Sequence, residues 1–242
     1  MVRDGDIDYL KKYLSSFKFD EEIKILEKGI SPQYIVGNVN FYGYSMKVNS
    51  NVLIPRFETE LLVEKTISYV KERFSSEDRL SCLDIGTGSG FLAITLKKEL
   101  CCDVVGCDVS DKALDVAREN ASLNDVDISF VSSDIYSNIT GKFDVIISNP
   151  PYIRFDEEIE DIVRNNEPSI ALYAKDNGLY FYRKILEGAK DYLNHKFIIA
   201  FEIGELQGSD VKELAYQYLD DVTVKVEKDY SGRDRFVFVF SK

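Results

Sequence analysis

A chain of 242 residues, 45% hydrophobic and 30% charged, has an ordinary globular composition and is long enough for one full α/β domain plus a small appendage. Its formal net charge of −12 disfavours a dedicated nucleic-acid surface, because such surfaces draw affinity from Lys and Arg displacing phosphate counterions. No apolar run is long enough to span a bilayer and residues 1–6 lack the apolar core of a secretory signal, so a cytoplasmic protein without a membrane partner is expected.

From about residue 6 to residue 29 two short helical patterns follow one another. Ile7, Leu10, Tyr13 and Leu14 make one apolar stripe; Ile23, Ile25 and Leu26 start a second that Gly29 ends. Ser31-Pro32 reads as a break. Residues 39–48 read as a hairpin, with Asn49-Ser50-Asn51 as a further turn. A helix follows in which Leu61, Leu62, Ile67 and Val70 keep helical spacing, with Thr59 and Glu60 near its start, where capping and acidic residues are favourable. The expected division is 1–32 as a short helical N-terminal segment, 33–56 as a β-hairpin linker and 57–242 as the main domain.

From Leu80 onward strand and helix alternate. Strands are predicted at 82–85, 104–108, 128–131, 143–148, 197–201, 222–226 and 236–240, with helices through Leu92, Ile94 and Leu96, from Ser110 and Asp111 through Ala121, at 178–193 and at 207–218. The last two strands are joined by a loop too short for a parallel crossover, so they should be antiparallel. The pattern is a doubly wound, seven-stranded, mostly parallel sheet whose last strand runs antiparallel.

The turn after the first of these strands, Gly86-Thr87-Gly88-Ser89-Gly90, follows G-x-G-x-G rather than the G-x-G-x-x-G of dinucleotide folds. Asp84 precedes it by two residues, where a carboxylate would repel a pyrophosphate but tolerates a ligand bearing an ammonium and a sulfonium. Asp108 ends the next strand about 20 residues on, the place at which an acidic side chain takes ribose hydroxyls. Together these favour S-adenosylmethionine over NAD. Asp134, after the third strand, would lie beside the adenine; a turn residue is an equally good reading.

Asn149-Pro150-Pro151-Tyr152 ends the strand at 143–148. Neither proline has a backbone N–H, so the main chain there offers only carbonyl acceptors, to which Asn149 adds a side-chain carbonyl and Tyr152 an aromatic face. Such a corner suits a planar group bearing an NH2, either a carboxamide or the exocyclic amine of adenine. The alternative is a strand simply ending in a proline turn. Ligands in such sheets sit at the carboxyl ends of the strands, which puts the elbow and the glycine turn in one crevice.

Cys82, Cys101, Cys102 and Cys107 form no C-x-x-C pair and His195 is the only histidine, so no metal site is expected. Cys82 and Cys107 fall inside predicted strands as small hydrophobes, and His195 reads as a surface residue in a turn. Asp144 is expected to be exposed, and Glu202, after the strand at 197–201, to be a candidate for the crevice. Asp156, Glu157, Glu158, Glu160 and Asp161 form an acidic run that reads as a solvated face or as a surface that meets a basic substrate.

Several stretches from about Gln33 to the C-terminus are familiar: Gln33-Tyr34-Ile35-Val36-Gly37, Leu53-Ile54-Pro55-Arg56-Phe57-Glu58-Thr59-Glu60, the glycine turn, Asn149-Pro150-Pro151-Tyr152-Ile153, Glu167-Pro168, Asp176-Asn177-Gly178-Leu179 and Glu202-Ile203-Gly204. With them the chain resembles the HemK/PrmC group of methyltransferases, which modify the side-chain amide of glutamine in peptide chain release factors. The resemblance implies a Rossmann-like class I S-adenosylmethionine-dependent methyltransferase domain over 57–242. It also implies a cofactor lined by Gly86 to Gly90, Asp108 and Asn149, and a substrate glutamine, from a Gly-Gly-Gln motif, held by Asn149, Pro150, Pro151 and Tyr152. The partner would be a release factor, with no stable nucleic acid, and the protein a monomer. Phe57 stands where the family usually has a second proline, and the region before the hairpin is shorter than the family's helical N-terminal domain. Three alternatives stay open: an adenine-N6 methyltransferase using the same tetrad, an N5-glutamine methyltransferase of a ribosomal protein, and a non-catalytic cofactor-binding module.

Overall fold

The computed structural model describes every residue except Met1, Ser15 and Phe17; these three fall in the segment 1–32, and Met1 of the stretch read for a signal therefore lies outside the described residues. The chain opens with helices α1 (Asp4–Tyr13), α2 (Phe19–Glu27) and α3 (Pro32–Val36). Ser31-Pro32 starts a helix instead of breaking the chain. Pro32 takes the first helical position, where a missing N–H is no loss and the fixed φ suits the turn. Strands β1 (Asn38–Phe41) and β2 (Tyr44–Lys47) form the hairpin. Tyr42 and Gly43, both at positive φ, make its two-residue turn, whose twist matches that of the paired strands.

Helix α4 (Phe57–Arg73) leads into the alternating part of the chain. There follow β3 (Leu80–Ile85), α5 (Phe91–Glu99), β4 (Cys102–Asp108), α6 (Asp111–Leu123), β5 (Ser129–Ser132) and β6 (Phe143–Ser148). The short α7 (Asp161–Asn166), then α8 (Tyr180–Tyr192), β7 (Leu193–Glu202), α9 (Gly208–Tyr218), β8 (Val222–Lys228) and β9 (Asp234–Ser241) complete it. Seven strands form one sheet in the order β5-β4-β3-β6-β7-β9-β8. The pairs from β5 to β7 are parallel, and β9 is antiparallel to both β7 and β8. This is the expected Rossmann-like sheet with a reversed last strand, and that strand inserts between β7 and β8.

Period-two alternation sorts the strand residues between two cores. In β9, Phe236, Phe238 and Phe240 pack in the cluster that contains α4 and α5, whereas Val237 and Val239 pack in the one that contains α8 and α9. Tyr69 of α4 meets the rings of Phe238 and Phe240 at 5.0 and 4.9 Å. Phe236 and Phe238 are fully buried, each worth roughly 1.5–3 kcal/mol relative to exposure. These layers hold the carboxyl ends of β3, β4 and β6 side by side.

Two residues at the amino ends of strands depart from expectation. His195 is exposed, but it belongs to β7, in an irregular stretch where Phe143 pairs with Leu193 and Val145 already pairs with Ile198. Asp144 is half-buried instead of exposed, because polar groups on two neighbouring strands use its carboxylate. Ser81 donates to Oδ2 through its N–H and hydroxyl, and Asn194 Nδ2 donates to Oδ1. The four cysteines are unpaired thiols, with Cys82, Cys102 and Cys107 buried. Among the described residues, no cluster of His, Cys, Asp and Glu is placed to hold a metal, and no helix is long and apolar enough to cross a membrane.

Candidate active site

A cleft of about 330 Å³ opens at the carboxyl ends of β3, β4 and β6, within the range typical of small-molecule sites. Gly86, Thr87, Gly88, Ser89, Asp108, Asp134, Asn149, Pro150 and Pro151 all line it. Asp84, Gly90 and Tyr152 do not. The structure therefore brings the glycine turn and the elbow into one crevice and leaves three of the expected residues outside its lining.

The glycine turn needs its glycines for two separate reasons. Gly86, Gly88 and Gly90 have φ of +71°, +53° and +82°, in the left-handed region where a side chain is strained. A Cβ on Gly86 would meet nothing within 4 Å, so this backbone borders open space in the cleft; a Cβ on Gly90 would come within 3.2 Å of the Ala117 Cβ, where α5 packs against α6. Asp84 lies fully buried beneath the turn. Its Oδ2 accepts from the Thr87 hydroxyl at 2.6 Å and the Ala93 N–H at 3.2 Å, tying the turn to the first residues of α5. Burial pushes its carboxyl up to about 7, and its buried Oδ1 has no partner among the described residues.

Asp108 is held at both oxygens. Oδ2 accepts from the Gly88 N–H at 3.0 Å and Oδ1 from the Ser110 N–H at 2.9 Å, so the carboxylate is fixed at the rim of the cleft. Burial raises its pKa against the pull of those N–H groups. The Asp134 carbonyl closes a turn by accepting from the Ser137 N–H and hydroxyl, and the residue also lines the cleft.

On the opposite wall, Asn149 follows β6, the neighbour of β3. Among the described residues, neither the Pro150 nor the Pro151 carbonyl accepts a hydrogen bond, so the expected free acceptors are present. Asn149 Nδ2 donates to Thr59 Oγ1 at 3.2 Å, and Thr59 Oγ1 donates to Glu202 Oε2 at 2.8 Å. Tyr152, expected to offer its ring to a guest, is half-buried and outside the lining of the cleft. Its carbonyl accepts from Gln207 Nε2 at 3.2 Å, and its hydroxyl is 3.5 Å from Glu202 Oε1. Glu202 is buried under the elbow, and that burial pushes its carboxyl up to about 7 despite the Thr59 hydrogen bond and the Arg235 charge.

The sequence puts Thr59 near a helix start, where a capping role is expected. It is the third residue of α4, but its hydroxyl reaches Glu202, so the capping role does not apply. Residues 51–53 and Pro55 also line the cleft, as do Pro168 and Ile170. Arg56 Nη2 meets Glu167 Oε1 at 2.5 Å, joining the segment before α4 to the one before Pro168. Glu167 is buried enough that its pKa is raised even beside that guanidinium. For Leu53, Pro55, Arg56, Thr59, Glu167 and Pro168 the sequence signal is their place in stretches shared with the HemK/PrmC group; Asn51, Val52 and Ile170 lie outside those stretches.

Residues 59–166 match the family model described as "Methyltransferase small domain". The release factor glutamine methyltransferase of Streptococcus pneumoniae is 44% identical over 210 residues, 86% of this chain and 74% of that protein. The enzyme of the same name from Flavobacterium psychrophilum is 46% identical over 216 residues, again 86% and 74%. Among solved structures, the release-factor-specific protein-(glutamine-N5) methyltransferase of Alicyclobacillus acidocaldarius superposes with a TM-score of 0.50 at 26% identity, covering 81% of this chain and 99% of that one. The identities of 44% and 46% over most of both chains show that the chain belongs to the release factor glutamine methyltransferase family.

Proposed function

We propose that this protein transfers a methyl group from S-adenosylmethionine to the side-chain amide nitrogen, N5, of the glutamine in the Gly-Gly-Gln motif of peptide chain release factors. The observation that carries this reading is the pairing of a glycine-walled cleft with a donor-free elbow whose Asn149 NH2 is already engaged by Thr59. With that NH2 turned to Thr59, the acceptors offered at the wall are the Asn149 side-chain oxygen and the Pro150 carbonyl. An amide NH2 has two hydrogens to give, one to each.

The residues present suit the cofactor. Gly86 leaves open the space that a side chain would fill, and Asp108 is oriented by two backbone N–H groups to receive ribose hydroxyls. Gly86, Thr87, Gly88, Ser89 and Asn149 would line the cofactor, Asp134 would border its adenine, and Asp84 and Gly90 would brace the turn from behind. When bound, S-adenosylmethionine supplies an activated methyl on a positive sulfur. The protein's part is orientation. An amide nitrogen is a weak nucleophile because its lone pair is delocalised, and two acceptors that fix the NH2 aim that nitrogen and stabilise positive charge growing on it. Tyr152 would hold the elbow rigid.

The test is to incubate the protein with S-adenosylmethionine and an isolated release factor and to read the mass of the Gly-Gly-Gln peptide. One added methyl on the glutamine is expected. Methyl label passing from labelled cofactor to DNA in a parallel reaction instead, or cofactor binding with no transfer to a complete release factor, would overturn the assignment.

A further inference from the structure

An asparagine side chain can turn over about its last bond, exchanging the places of its oxygen and its NH2. In a site that must accept from a substrate NH2, the wrong orientation would put donor against donor. Asn149 itself carries no preference between the two, and the adjacent prolines, having no N–H, supply none. The preference comes from behind the wall. An ionised Glu202 can only accept, so the single proton of the Thr59 hydroxyl is committed to Oε2 at 2.8 Å. The lone pairs of Thr59 Oγ1 then require a donor, and only the Nδ2 end of Asn149, at 3.2 Å, is one.

We propose that Glu202 and Thr59 are positioning residues that fix the Asn149 amide with its oxygen toward the substrate, so that the acceptor character of the elbow is imposed by a relay through α4 and β7. This rests on the reading of Asn149 as an acceptor for the substrate amide. Thr59 is 5% exposed and Glu202 2%, so water has little access to replace either link.

The relay also gives the reaction a titratable switch. Around Glu202 stand Tyr152 at the elbow, Tyr182 of α8, whose hydroxyl donates to the Glu202 carbonyl, Arg235 of β9, and Arg56 and Glu58 at the start of α4. Burial raises both phenols, which stay neutral, and Arg235 stays charged. Glu202, pushed up to about 7, is the member of this group that changes charge near neutrality. Once protonated it can donate to Thr59, whose own proton can then turn to Asn149 and favour the reversed amide. Turnover should therefore fall as pH drops through about 7. Asp84, also near 7, is outside the relay, so the pH profile of a Glu202 variant separates the two.

The experiment measures release-factor methylation and cofactor binding for Asn149→Ala, Thr59→Val, Thr59→Ser and Glu202→Gln across the neutral pH range. Thr59→Val should lower kcat by about 10²-fold, the scale of a misplaced orienting group, with KM for the release factor and Kd for the cofactor little changed. Thr59→Ser, which keeps the hydroxyl, should recover most of that loss. Glu202→Gln cannot ionise, and its NH2 can donate to Thr59 as protonated Glu202 does, so this variant should turn over slowly at every pH and lose the fall in rate on the acid side. Should Thr59→Val fail to fold, the serine variant and the Glu202→Gln profile still decide. If Asn149→Ala is inactive while Thr59→Val turns over normally or Glu202→Gln keeps the acid-side fall, the relay is wrong and the role of Asn149 survives. If Asn149→Ala itself turns over normally, both fall.

Discussion

On the glycine-turn side of the cleft, Thr87 reaches Asp84 across 3 residues of chain and Gly88 reaches Asp108 across 20. On the elbow side, Asn149 reaches Thr59 across 90 residues, Thr59 reaches Glu202 across 143, and Arg56 reaches Glu167 across 111. The first wall closes as soon as one strand-turn-helix-strand unit has formed. The second exists only after α4, β6 and β7 have docked on one another, and each of its links closes a long loop whose entropy the whole fold must offset. Damage to the first wall should therefore appear in cofactor affinity, and damage to the second in turnover or in stability.

The sharpest way to break this division is Asn149→Ala, which removes the side-chain acceptor. Turnover should fall by about 10²–10³-fold, as for loss of one transition-state hydrogen-bonding group, while calorimetry shows cofactor affinity within a few-fold of the unaltered protein. Asp108→Ala attacks the other wall. It removes a carboxylate expected to accept from ribose hydroxyls, and Kd for S-adenosylmethionine should rise by about 10–100-fold, the equivalent of a lost charge-assisted hydrogen bond, with a smaller effect on kcat at saturating cofactor.

Arg56→Ala should act on stability. It leaves Glu167, with 2% of its side chain exposed, without its cation, at a cost of about 1–3 kcal/mol by denaturant titration, given that Arg56 is itself partly exposed. The sign of the pH dependence follows from Glu167, whose folded pKa is raised above its ordinary 4.5 by burial and would rise further without Arg56. A carboxyl with a raised folded pKa favours the native state most below its unfolded pKa and loses that contribution as pH climbs through the folded one. The deficit of the variant should thus be small in acid and widen toward neutrality.

The smallest effect is expected from Phe57→Pro. Phe57 is the first residue of α4, a position that suits proline, and its ring is about half exposed, 6.0 Å from that of Tyr230. Stability should stay within about 1 kcal/mol, so thermal melting should barely move. A large loss there would mean that the Phe57–Tyr230 contact contributes more than its exposure suggests.

The residues that announce the fold do so through local rules. The seven strands, the G-x-G-x-G turn and Asp108 at a strand end could be placed because short apolar, β-branched runs, positive-φ glycines and strand-end carboxylates act within 20 or so residues. The same holds for the Tyr42-Gly43 hairpin and the antiparallel close of β8 and β9, each set by the length of its connection. Pro32 reads wrongly from sequence because Ser-Pro fits a break and a helix start equally well. Asp144 does so because nothing in its own strand shows that Ser81 and Asn194 will arrive beside it.

The elbow divides along the same line. That positions 150 and 151 would lack donors is a covalent fact, written into the chain before it folds. Which end of Asn149 faces the cleft, that Tyr152 stays outside the lining of the cleft, and that Thr59 serves Glu202 were settled only by packing. Each depends on a polar atom finding a partner 50 to 143 residues away. No local pattern encodes such a meeting, because a side chain's hydrogen-bonding direction is set by what the tertiary fold puts against it.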